Sequence, residues 1–104
     1  GENKMIKHIV MWKLQEFADG RNKLENAKII KEKLEALVGI IPEIVKLEVG
    51  IDILGTSQSY DVVLVSEFKK LEDLNIYANH PEHLKVGEFV GKVREDRKAV
   101  DYEF

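Results

Sequence analysis

The chain has 104 residues and no cysteine, a charged fraction of 34% and a formal net charge of −3 at pH 7. This composition is typical of one soluble globular domain, and the lack of cysteine excludes disulfides, thiol nucleophiles and thiolate metal sites. No basic stripe indicates nucleic-acid binding, and the sequence has neither a signal-peptide pattern nor an apolar run approaching the ~20 residues of a membrane span. We therefore expect a cytoplasmic protein without a nucleic-acid or membrane partner.

The N-terminal segment predicts a short polar end followed by a strand. Residues 1–4 are polar and precede Met5, so we interpret them as disordered or tag-derived and expect the domain to span residues 5–104. Residues 5–14 alternate between two faces, and both faces are apolar at their centre. That pattern predicts a strand that is covered on both faces.

A helix is predicted after the first strand. Residues 17–21 have the composition of a loop, and Asn22 with Glu25 three residues later resembles a capping box at a helix start. Apolar residues then recur at helical spacing until Gly39 and Pro42, which end the helix. The segment therefore predicts one amphipathic helix.

Two strands follow this helix. Residues 44–53 alternate between apolar and polar side chains, which predicts a strand with one wet face, and residues 55–59 form a polar turn. Residues 61–68 contain four consecutive apolar residues, and that run indicates a third strand that is buried on both faces.

A proline divides the C-terminal helical region in two. Pro81 would cost a continuous helix one hydrogen bond and favours an extended His80, whereas it is well tolerated at the first position of a new helix. We therefore predict one helix over residues 71–79 and another over residues 81–93. Residues 98–104 alternate again and predict the last strand.

The order of these elements predicts the fold class. Strand, helix, strand, strand, helix, strand with right-handed crossovers is an α+β, ferredoxin-like βαββαβ arrangement, in which both helices cover one face of a four-stranded antiparallel sheet. The other face then exposes Ile9, Met11, Val63 and Val65 to water, and an apolar sheet face of that kind indicates an interface. We therefore expect a homodimer in which two sheets pack face to face as a dimeric α/β barrel.

Three polar side chains are predicted to share one cavity. His8 lies alone among apolar residues on one face of the first strand, Tyr77 is in phase with the inward residues of its short helix, and Pro81 re-aims the segment that carries His83. The positive end of the helix dipole disfavours the charged form of His83, and a neutral ring suits a general base as well as an imidazole that only hydrogen-bonds a neighbour. The alternative is that each side chain makes its own hydrogen bond in a filled core.

A metal site is the other chemistry that these histidines suggest. His80 and His83 are three residues apart, and Glu82 or Glu88 is near them in the sequence. However, no third ligand has the expected spacing, and Pro81 disturbs the helical face that the two histidines would share. We therefore predict no metal and interpret His80 as a capping or turn residue.

Several short segments together resemble one known family. They are Lys7-His8-Ile9-Val10, Ile41-Pro42, residues 61–68, Leu71-Glu72-Asp73-Leu74, Tyr77 with His80-Pro81-Glu82-His83, and Asp101-Tyr102. With these segments the chain resembles the stress-responsive alpha/beta-barrel (Dabb) family, of the dimeric alpha/beta-barrel superfamily, over nearly its whole length. The early Lys-His pair combined with the Tyr-x-x-His-Pro-x-His segment is the most specific feature.

The resemblance implies a pocket between the sheet and the helices of one subunit. One plant member of the family closes a linear polyketide by an intramolecular aldol condensation. Its general-base histidine, pocket tyrosine and first-strand histidine correspond to His83, Tyr77 and His8. These three residues are therefore the candidate catalytic groups.

This sequence departs from that enzyme at three pocket positions. A second pocket tyrosine falls at Leu34, and a tryptophan and a leucine fall at Arg94 and Arg97. The resemblance therefore implies a pocket of different shape that is more polar at one end. Besides the three catalytic candidates, the residues predicted to line it are Val10, Trp12, Leu34, His80, Val86, Phe89 and Arg94.

Three functions stay open from the sequence. The first is a dimer whose apolar pocket binds a small hydrophobic or aromatic ligand, with a cofactor-independent cyclase or lyase that uses His83 as general base as its enzymatic form. The second is a structural or stress-related assembly protein without catalysis. The third is a monooxygenase-like member of the superfamily. We predict no cofactor, and absorbance of the purified protein at the Soret wavelength would reveal haem.

Overall fold

A computed structural model describes residues 4–104, so the prediction for residues 1–3 lies outside the described part. Strand β1 (Ile6–Leu14) leads through a small hairpin of β2 (Phe17–Ala18) and β3 (Arg21–Asn22) into helix α1 (Lys23–Glu35). A short 3-10 helix (Ala36–Gly39), β4 (Lys46–Ile51), β5 (Val62–Phe68), α2 (Leu71–Asn79), α3 (Pro81–Val93) and β6 (Arg94–Glu103) follow. None of the described helices is long and apolar enough to cross a membrane.

The main sheet has four strands in the order β4-β5-β1-β6, and every neighbouring pair is antiparallel. Helix α1 packs against β4, and α2 packs against β1 and β5, so the helices cover one face of this sheet. The observed order of elements is the predicted βαββαβ order with a small hairpin added. The α+β, ferredoxin-like fold class is therefore confirmed.

Helix α1 begins with the predicted capping box. The Glu25 amide donates to Asn22 Oδ1 over 2.9 Å, and the Asn22 amide donates to Glu25 Oε1 over 3.0 Å, so two amides of the first turn are satisfied. Its buried face includes Ile30 and Leu34. The α-helix ends at Glu35, and the 3-10 helix continues to the predicted stop at Gly39.

The break between α2 and α3 lies where Pro81 predicts it. His80 is extended, with φ −64° and ψ 135°, and it ends α2 and caps α3 at once. Its ring Nδ1 accepts a hydrogen bond of 3.0 Å from the Glu82 amide. Pro81 occupies the first position of α3, where its missing amide costs nothing.

Three predicted boundaries are wrong. The loop predicted over residues 17–21 contains a two-strand hairpin, whose turn uses positive φ angles at Asp19 and Gly20. Strand β4 stops at Ile51, because the chain then turns and leaves Ile53 97% exposed. Strand β6 starts at Arg94, four residues before the predicted residue 98.

The early start of β6 has a physical reason. Helix α3 passes directly into the strand, since Arg94 has an extended backbone and pairs with Leu14. β6 is an edge strand whose residues are exposed on both faces, apart from the half-buried Asp96. Its charged first half therefore has no apolar alternation from which a strand could be predicted.

The other face of the sheet, called the open face below, carries the four residues predicted for an interface. Ile9 pairs with Val65 and Met11 pairs with Val63 in neighbouring strands, so the four side chains lie together. Met11 is 39% exposed, and the other three are half-buried. β6 adds Val100, which lies opposite Ile9 and is 54% exposed. The open face is therefore an apolar patch in the isolated chain.

Candidate functional site

A cavity of about 400 Å³ lies between the helix-covered face of the sheet and the three helices. Its walls include side chains of β1, β5 and β6 on one side and of α1, α2 and α3 on the other. The predicted residues that line it are His8, Val10, Trp12, Leu34, Tyr77, His83, Val86, Arg94 and Arg97. The structure therefore brings the three candidate catalytic residues to one cavity.

Two predicted pocket residues lie elsewhere. His80 is at the junction of α2 and α3, where its ring caps α3, and it does not line the cavity. Phe89 comes three residues after Val86 and directly before Val90, and both valines line the cavity. The side chain of Phe89 is rotated by about 100° from that of Val90 around the helix axis and does not line the cavity. Its ring instead lies under the cation of Arg21, at 5.6 Å.

Tyr77 is the largest polar group of the cavity. The residue is completely buried, and within residues 4–104 its hydroxyl has no hydrogen-bond partner. Its ring packs against Phe68, with ring centroids 5.1 Å apart, and burial raises the pKa of the phenol above its ordinary value. An unpartnered buried hydroxyl costs about 1–3 kcal/mol. Tyr77 lines the cavity, so a ligand oxygen that reached the hydroxyl after a small side-chain movement would remove that cost.

His83, the third residue of α3, is held in one tautomer. Its Nδ1 lies 2.9 Å from the carbonyl oxygen of Ala78, near the end of α2. A carbonyl oxygen only accepts, so Nδ1 carries the hydrogen and Nε2 keeps its lone pair. The extended His80 places the two helices so that this bond can form.

The surroundings of His83 favour its neutral form. Burial is the main cause that lowers the pKa of His83 below its ordinary value. The hydrogen bond to Ala78 acts against this shift, and the charges of His8, Arg97 and His80 add to it. The direction agrees with the sequence prediction, although burial rather than the helix dipole is the largest cause.

His8 is paired with a carboxylate that the sequence reasoning did not assign to the site. His8 and Asp101 are direct neighbours across β1 and β6, and Nδ1 lies 2.5 Å from Asp101 Oδ1. An ionised carboxylate only accepts, so it fixes Nδ1 as the donor and orients the ring. The register between β1 and β6 decides this contact, and no sequence pattern gives that register.

Tyr77 stands between the two histidines. Its ring centroid lies 4.4 Å from that of His83 and 6.3 Å from that of His8. The cavity is therefore lined by a buried phenol ring and an imidazole that adjoin each other, with the His8–Asp101 pair beside them. Leu64, Leu74, Asn75 and Val90 also line the cavity, although the sequence did not assign them to a pocket.

Part of the cavity wall is cationic. Arg94 and Arg97 both line it from β6. Among residues 4–104 neither side chain forms a salt bridge. The described residues also contain no group of three or more histidine, cysteine, aspartate or glutamate side chains arranged to hold a metal ion.

The sequence matches a known family over almost all of its length. The family model described as the stress responsive A/B barrel domain (Dabb) matches residues 6–104. A curated protein of Arabidopsis thaliana, the stress-response A/B barrel domain-containing protein DABB1, is 29% identical over 109 residues, which cover 96% of this chain and 47% of that protein. The chain thus spans about half the length of this relative.

Solved structures support the fold. A crystal structure from Bacteroides fragilis, described as a dimeric protein of unknown function with a ferredoxin-like fold, is 40% identical, covers 96% of both chains and superposes with a TM-score of 0.86. The hydroxynitrile lyase of Passiflora edulis superposes with a TM-score of 0.81 over 98% of this chain and 94% of that one, at 16% identity. At this low identity, the similarity to the lyase shows only that the fold is shared.

Proposed function

Because the chain belongs to the stress-responsive A/B barrel (Dabb) family, we propose that it is a homodimer whose cavity binds a small hydrophobic or aromatic carbonyl compound, from which His83 removes a proton. One observation carries the proposal. The fully buried Tyr77 hydroxyl has no partner among the described residues, and the neutral His83 ring lies beside it in a cavity of about 400 Å³.

The walls of the cavity favour an apolar ligand body. Val10, Trp12, Leu34, Val86 and Val90 form an apolar part of the wall, and small-molecule sites commonly combine such a part with polar groups that orient the ligand. A volume of about 400 Å³ is within the range of such sites. The ligand is therefore small and mostly apolar, and its carbonyl oxygen accepts the hydrogen bond of Tyr77.

The proposed chemistry is proton removal next to a carbonyl group. His83 Nε2 takes the proton, the electron pair of the C–H bond forms the enolate double bond, and the carbonyl oxygen becomes an oxyanion. The Tyr77 hydroxyl donates to that oxygen and stabilises the charge. A neutral imidazole is the form that this step requires. An enolate made in this way can attack a second carbonyl, which is the step of an aldol-type cyclase or lyase.

The dimer completes the proposal. The open face carries Ile9, Met11, Val63 and Val65, and water would otherwise meet this apolar patch. The B. fragilis structure, at 40% identity, is described as dimeric. Two such faces packed together would bury both patches about a two-fold axis.

A second function rests on the same open face. If the dimer and its assembly are the function, the patch is sufficient and the cavity is only an unfilled part of the core. In that case a ligand neither binds in the cavity nor exchanges a proton there.

Deuterium exchange tests the proposed chemistry without knowledge of the natural substrate. We would incubate 4-phenylbutan-2-one with the protein in D₂O and follow the loss of its α-proton signals by NMR. The wild type should accelerate exchange above the buffer rate, and His83→Asn should not, because the base is absent. His80→Asn is the matched control, since it changes a histidine three residues away that lies outside the cavity and asparagine also caps helices.

The outcomes of this experiment distinguish the possible functions. Acceleration that is lost in His83→Asn and kept in His80→Asn supports proton removal by His83. Equal acceleration by all three proteins contradicts it. Saturable binding without any exchange leaves a ligand carrier, and no binding favours the assembly protein.

A further inference from the structure

We propose that the cavity selects ligands that carry a carboxylate, and that Arg94 and Arg97 bind this group. The inference rests on the proposed function, because it names the class of small molecule that the cavity takes. It adds to the cavity a recognition point that the proposed proton transfer does not use.

The register of the sheet places both arginines on the cavity side. Arg97 pairs with Trp12 and Arg94 pairs with Leu14, and both partners lie on the helix-covered face of β1. Asp101 lies four residues beyond Arg97 on the same strand, which corresponds to about 13 Å between their Cα atoms. The cavity therefore extends from two guanidinium groups to the His8–Asp101 pair.

The positive charge at this end has no neutralising partner in the described part of the chain. Asp101, the carboxylate that lines the cavity, is engaged with His8 at 2.5 Å. Asp96 accepts a hydrogen bond from the Tyr60 hydroxyl and pairs with Lys98 at 3.6 Å. Among the described residues, both guanidinium groups are therefore free to pair with an anionic group of a ligand.

A second observation points to a ligand in the same cavity. The Tyr77 hydroxyl is buried and has no hydrogen-bond partner within residues 4–104, so one polar group of a residue that lines the cavity is unsatisfied. One molecule with a carboxylate and a carbonyl oxygen satisfies both ends. Its apolar body would lie between Trp12 on the sheet and Val86 and Val90 on α3.

A carboxylate fits two arginines better than other groups do. The planar guanidinium presents paired N–H donors that match the two oxygens of a carboxylate. A neutral amide of the same shape offers one acceptor and brings two donors toward two cations. The cavity should therefore bind an acid at least about tenfold more tightly than its amide.

Matched acid and amide pairs test this selectivity. We would measure by calorimetry the affinity of wild type for benzoate and benzamide, for 4-phenylbutyrate and 4-phenylbutyramide, and for octanoate and octanamide. The buffer would contain roughly 0.15 M salt, where the Debye length is about 8 Å, so that distant charges contribute little. At least one acid should exceed its amide by about tenfold or more.

Charge-removing variants locate the recognition point. Arg97→Gln, alone and combined with Arg94→Gln, should lose the preference for the acid and keep the affinity for the amide. Both arginine side chains are exposed, so the fold should tolerate these changes. Lys92→Gln is the control, since it removes one positive charge two residues away from Arg94 without touching the cavity. It should behave as wild type.

The outcomes distinguish this inference from the proposed function. Equal affinity for acid and amide in the wild type overturns the carboxylate inference and leaves the proposed function standing. A preference that survives in the double arginine variant, or that Lys92→Gln abolishes equally, also overturns it. If no member of any pair binds to the wild type, both proposals fail.

Discussion

At the residue scale, the site is defined by two side chains whose chemistry burial has changed. Burial leaves the Tyr77 hydroxyl without a partner in the described chain and holds the pKa of His83 below its ordinary value. Both residues could be selected from the sequence, because Pro81 marks the break that brings them together. Asp101 could not be assigned to His8, and Phe89 was misplaced, because side-chain neighbours depend on strand register and helix rotation.

Removal of the Tyr77 hydroxyl should not weaken the fold. In Tyr77→Phe the packing against Phe68 stays and an unpartnered polar atom disappears, so we expect the free energy of unfolding to rise by about 1 kcal/mol. Urea denaturation measures it. Tyr60→Phe is the comparison, because that hydroxyl donates to Asp96 and its removal brings no such gain. A clear loss of stability in Tyr77→Phe would mean that the hydroxyl has a partner.

The ionisation of His83 can be measured directly. NMR titration of the ring protons should give a midpoint below the ~6.5 of a free histidine. The charged or titratable groups around the ring are His8, Tyr77, His80, Arg97 and Asp101. A midpoint above the free value would contradict the neutral base.

The same shift affects stability. The unfolded chain binds a proton on His83 more readily than the folded chain does. The contribution of His83 to the free energy of unfolding is therefore fully present above about pH 6.5 and is lost as the pH falls through the lower pKa of the folded state. His83→Asn should therefore lose less stability than wild type between neutral pH and the folded pKa. Denaturation at several pH values compares the two, and parallel curves would contradict the linkage.

At the element scale, local signals predicted most of the helices and little of the last strand. The Asn22 capping box and Pro81 act through local hydrogen bonds, so the starts of α1 and α3 could be predicted from the sequence. The start of β6 could not, because the edge strand is stabilised by pairing with β1 and its own residues carry no apolar alternation.

The capping box should contribute measurably to α1. Asn22→Ala removes the acceptor of the Glu25 amide and should lower the free energy of unfolding by about 1 kcal/mol. Asn22→Asp keeps an acceptor at that position and should stay near wild type. Thermal or urea unfolding checks both variants, and an equal loss in the two would show that the side-chain cap is not the cause.

At the scale of the whole molecule, the proposed dimer depends on the open face. Its existence could be predicted from the sequence, since helices that cover one sheet face leave the other exposed, and Ile9, Met11, Val63 and Val65 lie together as expected. Val100 was not predicted for this face because the register of β6 was unknown. The full extent of the apolar patch therefore could not be predicted without the pairing of β6 with β1.

Analytical ultracentrifugation should show a dimeric wild type at micromolar concentration. Val65→Asp places a charge at the centre of the open face and should yield monomers, because a buried unpaired charge is costly. Leu71→Asp is the control, since it introduces the same charge at an exposed apolar residue at the start of α2. A monomeric wild type, or a Val65→Asp dimer as tight as wild type, would contradict the proposed interface.

Ligand binding by wild type and Tyr77→Phe tests most directly whether the cavity is a working site. We predict that 4-phenylbutan-2-one binds saturably to the wild type and about tenfold more weakly to Tyr77→Phe in a calorimetric titration, because the carbonyl oxygen loses the phenol donor while the walls of the cavity stay in place. Equal affinity of the two proteins, or no binding to the wild type, would contradict the site.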